Sequence, residues 1–401
     1  MRRGHHGIAM PLRAAGAGRS QRGATCSIGG RRRGDGMAQD RQGLLPGLHG
    51  LRAMAAMMVL LFHLHAIPHL AVPAALPWIA SHFGLGVHLF FALSAFSLAW
   101  ANPQAARQPG PYLVKRVFRI APLYWLMTLL ILGIGAWPGL ARVAAEFAFV
   151  FNFVPGWQGG LVPAGWTVGV EMPFYLLLPL LLRLRSVAGM AGATLLATLI
   201  SWAARLWLEA AMPGSDYPQT ALVTNLFAFV LALLAFRLFE RVRGSAREGM
   251  AAGLAAGLAL GLGAYLLSPL AAPLAGPGNP DLLLFGVVFA ALCLWQALRP
   301  SWLLRCRAAL WLGERSYSIY LFHFLLILAL RPAYARIVGT FGQGGAAYLA
   351  ALAITLPPLL VLAALGYRLV ERPGMALGRR LIAWRAARRP APLGPGLRPG
   401  P

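Results

Sequence analysis

The chain is short of charge, and above all of negative charge. Only 12% of its 401 residues are Asp, Glu, Lys or Arg, with 11 acidic against 36 basic side chains. A soluble globular chain carries about twice that charged fraction. With 58% hydrophobic residues, the composition argues against a soluble protein and for a multi-spanning membrane protein. Cysteine is scarce too. Cys26, Cys293 and Cys306 have no metal-ligand spacing, which argues against a disulfide framework or a zinc site. No metal is expected. No repeat of fixed period is visible, nor a soluble domain of any size. Residues 1–36 are basic but lack any aromatic side chain to stack a base. Nucleic acid is therefore not an expected partner, despite the net charge of +25.

What is present is a series of apolar runs, each near the ~20 residues that cross a bilayer. The cations fall at the two termini and in a few short loops between runs, which is a topology signal. Spans are expected at 48–66, 83–101, 120–137, 166–182, 187–208, 220–239, 249–267, 281–298, 311–330 and 346–370. The run 140–155 is short and holds Arg142, Glu146 and Asn152. A full crossing there would place Arg183 and Arg185 outside, against the charge rule. It is therefore expected to be re-entrant or interfacial, on the outer side. Arg331 and Arg336 are a mild exception to the same rule, since they follow a span that runs outward. The expected fold is an all-α membrane protein of about ten transmembrane helices plus that one short segment, both termini cytoplasmic. Residues 1–43 read as a disordered basic tail facing anionic lipid, or as sequence ahead of a start at Met37. Residues 44–373 form the membrane domain, and 374–401 a basic Pro/Arg-rich cytoplasmic tail.

Some of the runs carry polar groups that are out of place in hydrocarbon. Arg52 and His63 share the first span, eleven positions apart. That is close to three helical turns, so both lie on one face, roughly 16 Å apart along the axis. Ionisable groups at such depth default to a functional role; snorkelling of Arg52 and a carbonyl partner for His63 are the bland alternatives. Arg116 and Arg119, three apart, also share a face, where guanidinium forks suit phosphates as well as membrane anchoring. Glu171 lies inside a span bent by Pro173 and Pro179. Ser316, Tyr320 and His323, spaced four and three, stack on one face as a cavity wall or a hydrogen-bonded seam. Glu314 and Arg315 lie near the inner end, where each other or headgroups can pair them. Glu371 and Arg372 read as an end-of-helix ion pair. By the expected topology, His63, Glu171 and His323 fall in the outer half, and the three arginines in the inner half.

Six elements in order resemble the integral membrane acyltransferase-3 family, which includes bacterial O-antigen and exopolysaccharide O-acetylases. They are the Arg-x10-His element at Arg52 and His63; GVHLFFALSAFSL from Gly86; the Arg-x-x-Arg element at Arg116 and Arg119; WTVGVEMPFYLLLPLL from Trp166; SYSIYLFH ending at His323; and VERP from Val370. The likeness spans about residues 44–373. Two positions depart: His88 stands where the family often has Asp, and Ala95 where it often has Gly. No second, hydrolase-like domain of the kind some members carry is legible, so the membrane domain is expected to act alone or through a partner.

The resemblance implies transfer of an acyl group, usually acetyl, from cytoplasmic acyl-CoA to a hydroxyl of a cell-surface or lipid-linked carbohydrate. The setting it implies is a bacterial inner membrane. His63 is then the expected base, directly or in an acyl relay, since neutral imidazole takes a proton near pH 7. Glu171 would orient it or hold the acceptor. Arg52, Arg116 and Arg119 would hold the donor's phosphates or stabilise developing charge. Ser316, Tyr320 and His323 would line the substrate cavity. Self-association into a homo-oligomer is compatible with all of this. The competing class is a multi-spanning transporter or flippase, which also places ionisable residues at mid-membrane.

Overall fold

The computed structural model describes residues 45–388. The expected tail 1–43, Cys26 and residues 389–401 lie outside the described residues.

Apolar runs without interior breakers fold as helices, because lipid offers no partner for a bare backbone N–H or C=O. The chain enters α1 (Pro46–Ala66), α2 (Gly86–Ala101), α3 (Pro109–Ile134) and the short α4 (Leu140–Phe147). There follow α5 (Trp166–Leu181), α6 (Val187–Ala211), α7 (Leu222–Val242), α8 (Glu248–Leu266) and α9 (Pro280–Leu298). The last helices are α10 (Arg307–Glu314), α11 (Ser316–Ala329), α12 (Arg331–Phe341), α13 (Gly345–Gly366) and α14 (Arg372–Ala387). No strand occurs among the described residues. Among the described residues eight helices are long and apolar enough to cross a membrane, or nine if the bent pair α11–α12 is one span; α5 is a shorter apolar helix. The all-α, multi-spanning architecture is therefore the observed one.

The non-spanning segment is α4, followed by a single 3-10 turn at Phe151–Phe153. Glu146 and Asn152 are tied down rather than exposed. Tyr124 donates to the Glu146 carboxylate at 2.5 Å. Asn152 donates to the Thr220 carbonyl at 2.8 Å and accepts from the Leu222 N–H at 3.0 Å.

Helix α1 occupies the middle. Leu48, Leu51, Ala55 and Val59 belong to one buried cluster, shared with α2, α3, α5, α7 and α9. Ala56, Leu60 and Leu64 belong to a second, shared with α11, α12 and α13. Two glycines let the chain close around the start of α1. A Cβ at Gly50 would stand 2.1 Å from the Leu304 carbonyl oxygen, and one at Gly313 would stand 2.0 Å from that of His49. By contrast α8 is scaffold: Gly253, Gly257 and Gly261 face open space.

Three boundaries differ from the sequence expectation. Helix α3 begins at Pro109, so Lys115, Arg116 and Arg119 ride on the helix instead of ending a loop. The run 311–330 is broken at Arg315, and α12 turns away from α11 by 63°. Helix α13 continues through a π-helical turn, Tyr367–Glu371, into α14. The residues read as the start of a tail are therefore helical as far as Ala387. Gly374 and Gly378 allow the close approach of α14 to Phe118 and Pro122 of α3, where a side chain would collide.

Candidate active site

A cavity of about 60 Å³ lies where α1, α2, α3, α5 and α11 meet. Arg52, Arg116, Arg119, Glu171, Ser316 and Tyr320 all line it. Six of the eight residues singled out from sequence thus converge, although five separate helices supply the walls. The space between them is large enough to hold water.

Glu171 is the carboxylate of this chamber. It accepts a hydrogen bond from Ser94 of α2 at 2.5 Å and another from Tyr175, one turn further along α5. Arg52 and Arg116 stand within electrostatic reach of it. One Nε–H of Arg116 is buried without a protein partner, and so is the nearby Tyr112 hydroxyl. Such orphan donors are uncommon in a finished interior and mark a place where a ligand or water completes the pairing. Arg119 faces a second carboxylate. Its Nη2 stands 3.3 Å from Glu371, whose side chain is 0% exposed. Ser318 also donates to Glu371. The expected Glu371–Arg372 pair does not form; the π-helical turn points Glu371 inward, to Arg119. Glu314 and Arg315 do pair with each other, at 2.9 Å.

Backbone strain closes the far end of the cavity. Ala164, just before α5, has φ 62°, a region that costs an L-residue about 1–2 kcal/mol. Its carbonyl accepts the Tyr320 hydroxyl at 2.8 Å. Thr167 donates to the same Tyr320 oxygen at 2.9 Å. Tyr320 is thereby fixed from both sides. Its ring meets Phe90 edge-on at 5.8 Å and lies 5.5 Å from the ring of His323.

His63 and His323 are not in the chamber but beyond Tyr320, against each other. Their ring centres are 4.9 Å apart, and His323 Nε2 is 3.2 Å from His63 Nδ1. Two carbonyls set the tautomers, because a carbonyl can only accept. His323 Nδ1–H donates to the Tyr320 carbonyl, which leaves its Nε2 as an acceptor. His63 Nδ1–H is shared between the Val59 carbonyl, at 2.9 Å, and His323 Nε2. The remaining His63 nitrogen, Nε2, carries a lone pair and has no protein partner among the described residues. That is the arrangement of an oriented base with a free acceptor nitrogen.

The geometry therefore separates two groups that the sequence placed together. Glu171 lines the chamber with the arginines, and the group that stands beside His63 is His323. Three residues of the chamber escaped the sequence reading. Tyr175 follows Glu171 by four positions, a spacing that puts both on one face. Ser94 lies inside the GVHLFFALSAFSL element, but its spacing there relates it to no other polar group of the site. Tyr317 lines the wall and donates to the Ile120 carbonyl at 2.9 Å. His88 is elsewhere, buried, with Nε2–H donating to Asn225 at 2.9 Å. Among the described residues no group of His, Cys, Asp or Glu stands close enough to hold a metal.

Comparison with known proteins identifies the family. The model of the acyltransferase domain family matches residues 45–365. The chain is 28% identical over 378 residues to Acyltransferase MdmB of Streptomyces mycarofaciens, covering 84% of this chain and 93% of that protein. It is 26% identical over 370 residues to Nodulation protein 10 of Rhizobium leguminosarum bv. viciae, with 84% and 94% covered. Peptidoglycan O-acetyltransferase OatA of Listeria monocytogenes serovar 1/2a is 23% identical over 323 residues, and the chain spans about half of its length, with 72% and 50% covered. No solved structure matches. A family model covering most of the chain, laid over helices that cross a membrane, makes this protein a member of the acyltransferase-3 family and a multi-pass membrane O-acyltransferase.

Proposed function

We propose that the protein transfers an acetyl group from cytoplasmic acetyl-CoA to a hydroxyl of a cell-surface or lipid-linked carbohydrate, as a resident of the bacterial inner membrane. The observation that carries this reading is the alignment of two unlike groups in one bundle. A chamber with Arg52, Arg116 and Arg119 lies toward the end that bears the basic loops, and the His63–His323 pair lies toward the other. By the charge rule the basic end is cytoplasmic. A phosphate-bearing donor enters there, and each guanidinium offers it a fork of donors. The flexible arm between the phosphates and thioester of an acyl-CoA suits the roughly 16 Å that separate Arg52 from His63 along α1. The arm must widen the narrow space beside Phe90 and Tyr320 to pass.

The chemistry then follows from His63. Its Nε2 takes the proton of the acceptor hydroxyl as that oxygen attacks the thioester carbonyl carbon. The C–S bond breaks, the ester stays on the acceptor, and the thiolate takes up the proton as free thiol. His323 Nε2 receives the His63 Nδ1–H bond, which strengthens while His63 is positively charged. Glu171 and Glu371 hold the arginines in place and offset their mutual repulsion. The name of one relative, a peptidoglycan O-acetyltransferase, favours a sugar hydroxyl as acceptor.

The test is acetyl-CoA turnover by the purified protein, with mass spectrometry of surface glycans from cells with and without the gene. Slow thioester hydrolysis without acceptor, and glycan acetyl esters that depend on the gene, are expected. A protein that neither cleaves the thioester nor changes the glycans would be a transporter or flippase, and the proposal would fall.

A further inference from the structure

Arg331, one of the two cations that break the charge rule, lies in a second pocket that the transfer chemistry leaves unused. That pocket has a volume of about 340 Å³ and is lined by Ile67, His69, Arg331, Tyr334 and Gln343 among others. It is large enough for a small ligand, at the low end of the ~300–1,000 Å³ typical of ligand sites. It opens at the end of the bundle away from the basic loops, where α1 ends and α12 bends off α11 by 63°.

Its position follows from the two catalytic helices. Ile67 caps α1 one turn beyond His63, and its N–H donates to the His63 carbonyl at 3.0 Å. That turn corresponds to about 6 Å along the axis. Arg331 follows His323 by eight residues, six of them, or about 9 Å, along α11 before the 63° bend. A molecule seated in the pocket is therefore one to two turns outward of the free His63 nitrogen.

Its chemistry is one-sided. The ionisable and amide groups on the wall are Arg331, His69, Tyr334 and Gln343, and no carboxylate lines it. Arg331 is exposed, and makes one long bond to the Ile67 carbonyl, 3.4 Å from Nη2. Its other donors have no protein partner among the described residues, and no acidic side chain pairs with it. The wall is also held in an unusual shape. His69 has φ 56°, a left-handed conformation that few non-glycine residues adopt. His65 enforces it: its Nδ1–H donates to the Leu70 carbonyl at 2.7 Å, and its carbonyl accepts from the Leu70 N–H at 3.2 Å. Residues held against their preference cluster at ligand sites.

We infer that this pocket is an acceptor subsite that binds an anionic carbohydrate, with Arg331 engaging a carboxylate or phosphate while a hydroxyl one sugar inward reaches His63. This deepens the proposed function and rests on it. An acidic substituent would be the feature that selects the acceptor, and Arg331 the specificity residue.

The experiment uses the full chain in nanodiscs with three acceptors: a neutral oligosaccharide, a uronate-bearing oligosaccharide, and a neutral oligosaccharide on polyprenyl phosphate. Arg331→Gln should raise KM at least tenfold for an anionic acceptor, with the neutral oligosaccharide and acceptor-independent acetyl-CoA hydrolysis unchanged. Arg331→Lys should recover most of the loss. A penalty confined to the uronate identifies a sugar carboxylate; one confined to the polyprenyl substrate identifies the lipid phosphate. Equal penalties for neutral and anionic acceptors, or none, overturn the subsite. Binding of the two anionic acceptors to His63→Ala, read by calorimetry, tests it apart from turnover. Tenfold weaker binding on adding Arg331→Gln supports it, and unchanged binding sinks it. Absence of thioester cleavage in the unmutated protein would count against the proposed function alone.

Discussion

In the variant His323→Ala, His63 keeps its bond to the Val59 carbonyl but loses the acceptor on its other side. The ground state loses little, because a neutral hydrogen bond is worth about 1 kcal/mol. The transition state loses more. Once His63 has taken the hydroxyl proton it is an imidazolium, and a hydrogen bond from a charged donor is worth about 1.5–3 kcal/mol. The difference is about 0.5–2 kcal/mol, so at 1.4 kcal/mol per factor of ten His323→Ala should lower kcat by roughly 2- to 30-fold. His63→Ala removes the base itself, for which about 100- to 10,000-fold is the usual range. The double variant should be no worse than His63→Ala, since the two act as a unit. His323→Gln restores an acceptor oxygen in a similar volume and should recover part of the rate. His323 is 1% exposed, so each variant must first be shown to insert and to melt cooperatively. The assay is the initial rate of acetyl transfer from labelled acetyl-CoA at saturating donor. Normal transfer by His63→Ala would refute the base assignment. An additive double variant would show that the imidazoles do not work together.

Three further outcomes follow from the chamber and its surroundings. Arg116→Ala with Arg119→Ala should weaken donor binding while the protein still inserts; unchanged donor affinity at matched salt would remove the phosphate role. Glu371→Ala leaves Arg119 facing no carboxylate. Breaking a buried pair costs ~3–5 kcal/mol, and the low end is expected because the Arg119 side chain is 21% exposed. Thermal melting checks it, and an unchanged midpoint would show the pair to be idle. Glu146 lies outside the spanning helices, and its burial raises its pKa above the ordinary carboxylate value. A raised folded pKa contributes stability that is full below the unfolded value and is lost as pH rises through the folded one. Glu146→Gln should therefore flatten the fall in melting temperature as pH rises from about 4.5, the ordinary carboxylate region. A pH profile parallel to the unmutated protein would reject this.

The rough place of the spans could be read directly from the residues, because hydrocarbon thickness fixes the length of an apolar run and no competing structure satisfies its backbone. The number could not, since eight of the described helices, or nine with the bent pair, are long and apolar enough where about ten are expected. Helical periodicity likewise put Arg52 with His63, Arg116 with Arg119, and Ser316 with Tyr320 and His323. Such spacing relates residues within one helix only. Which helices face each other is a matter of packing, decided by contacts such as those that Gly50 and Gly313 permit around α1. For that reason Ser94, on a different helix, holds Glu171, and Glu371 reaches across to Arg119 instead of pairing with its neighbour Arg372. The same distance-dependence moved Glu171 from the histidines to the arginines: depth along a helix is one coordinate, and the folded bundle supplied the other two.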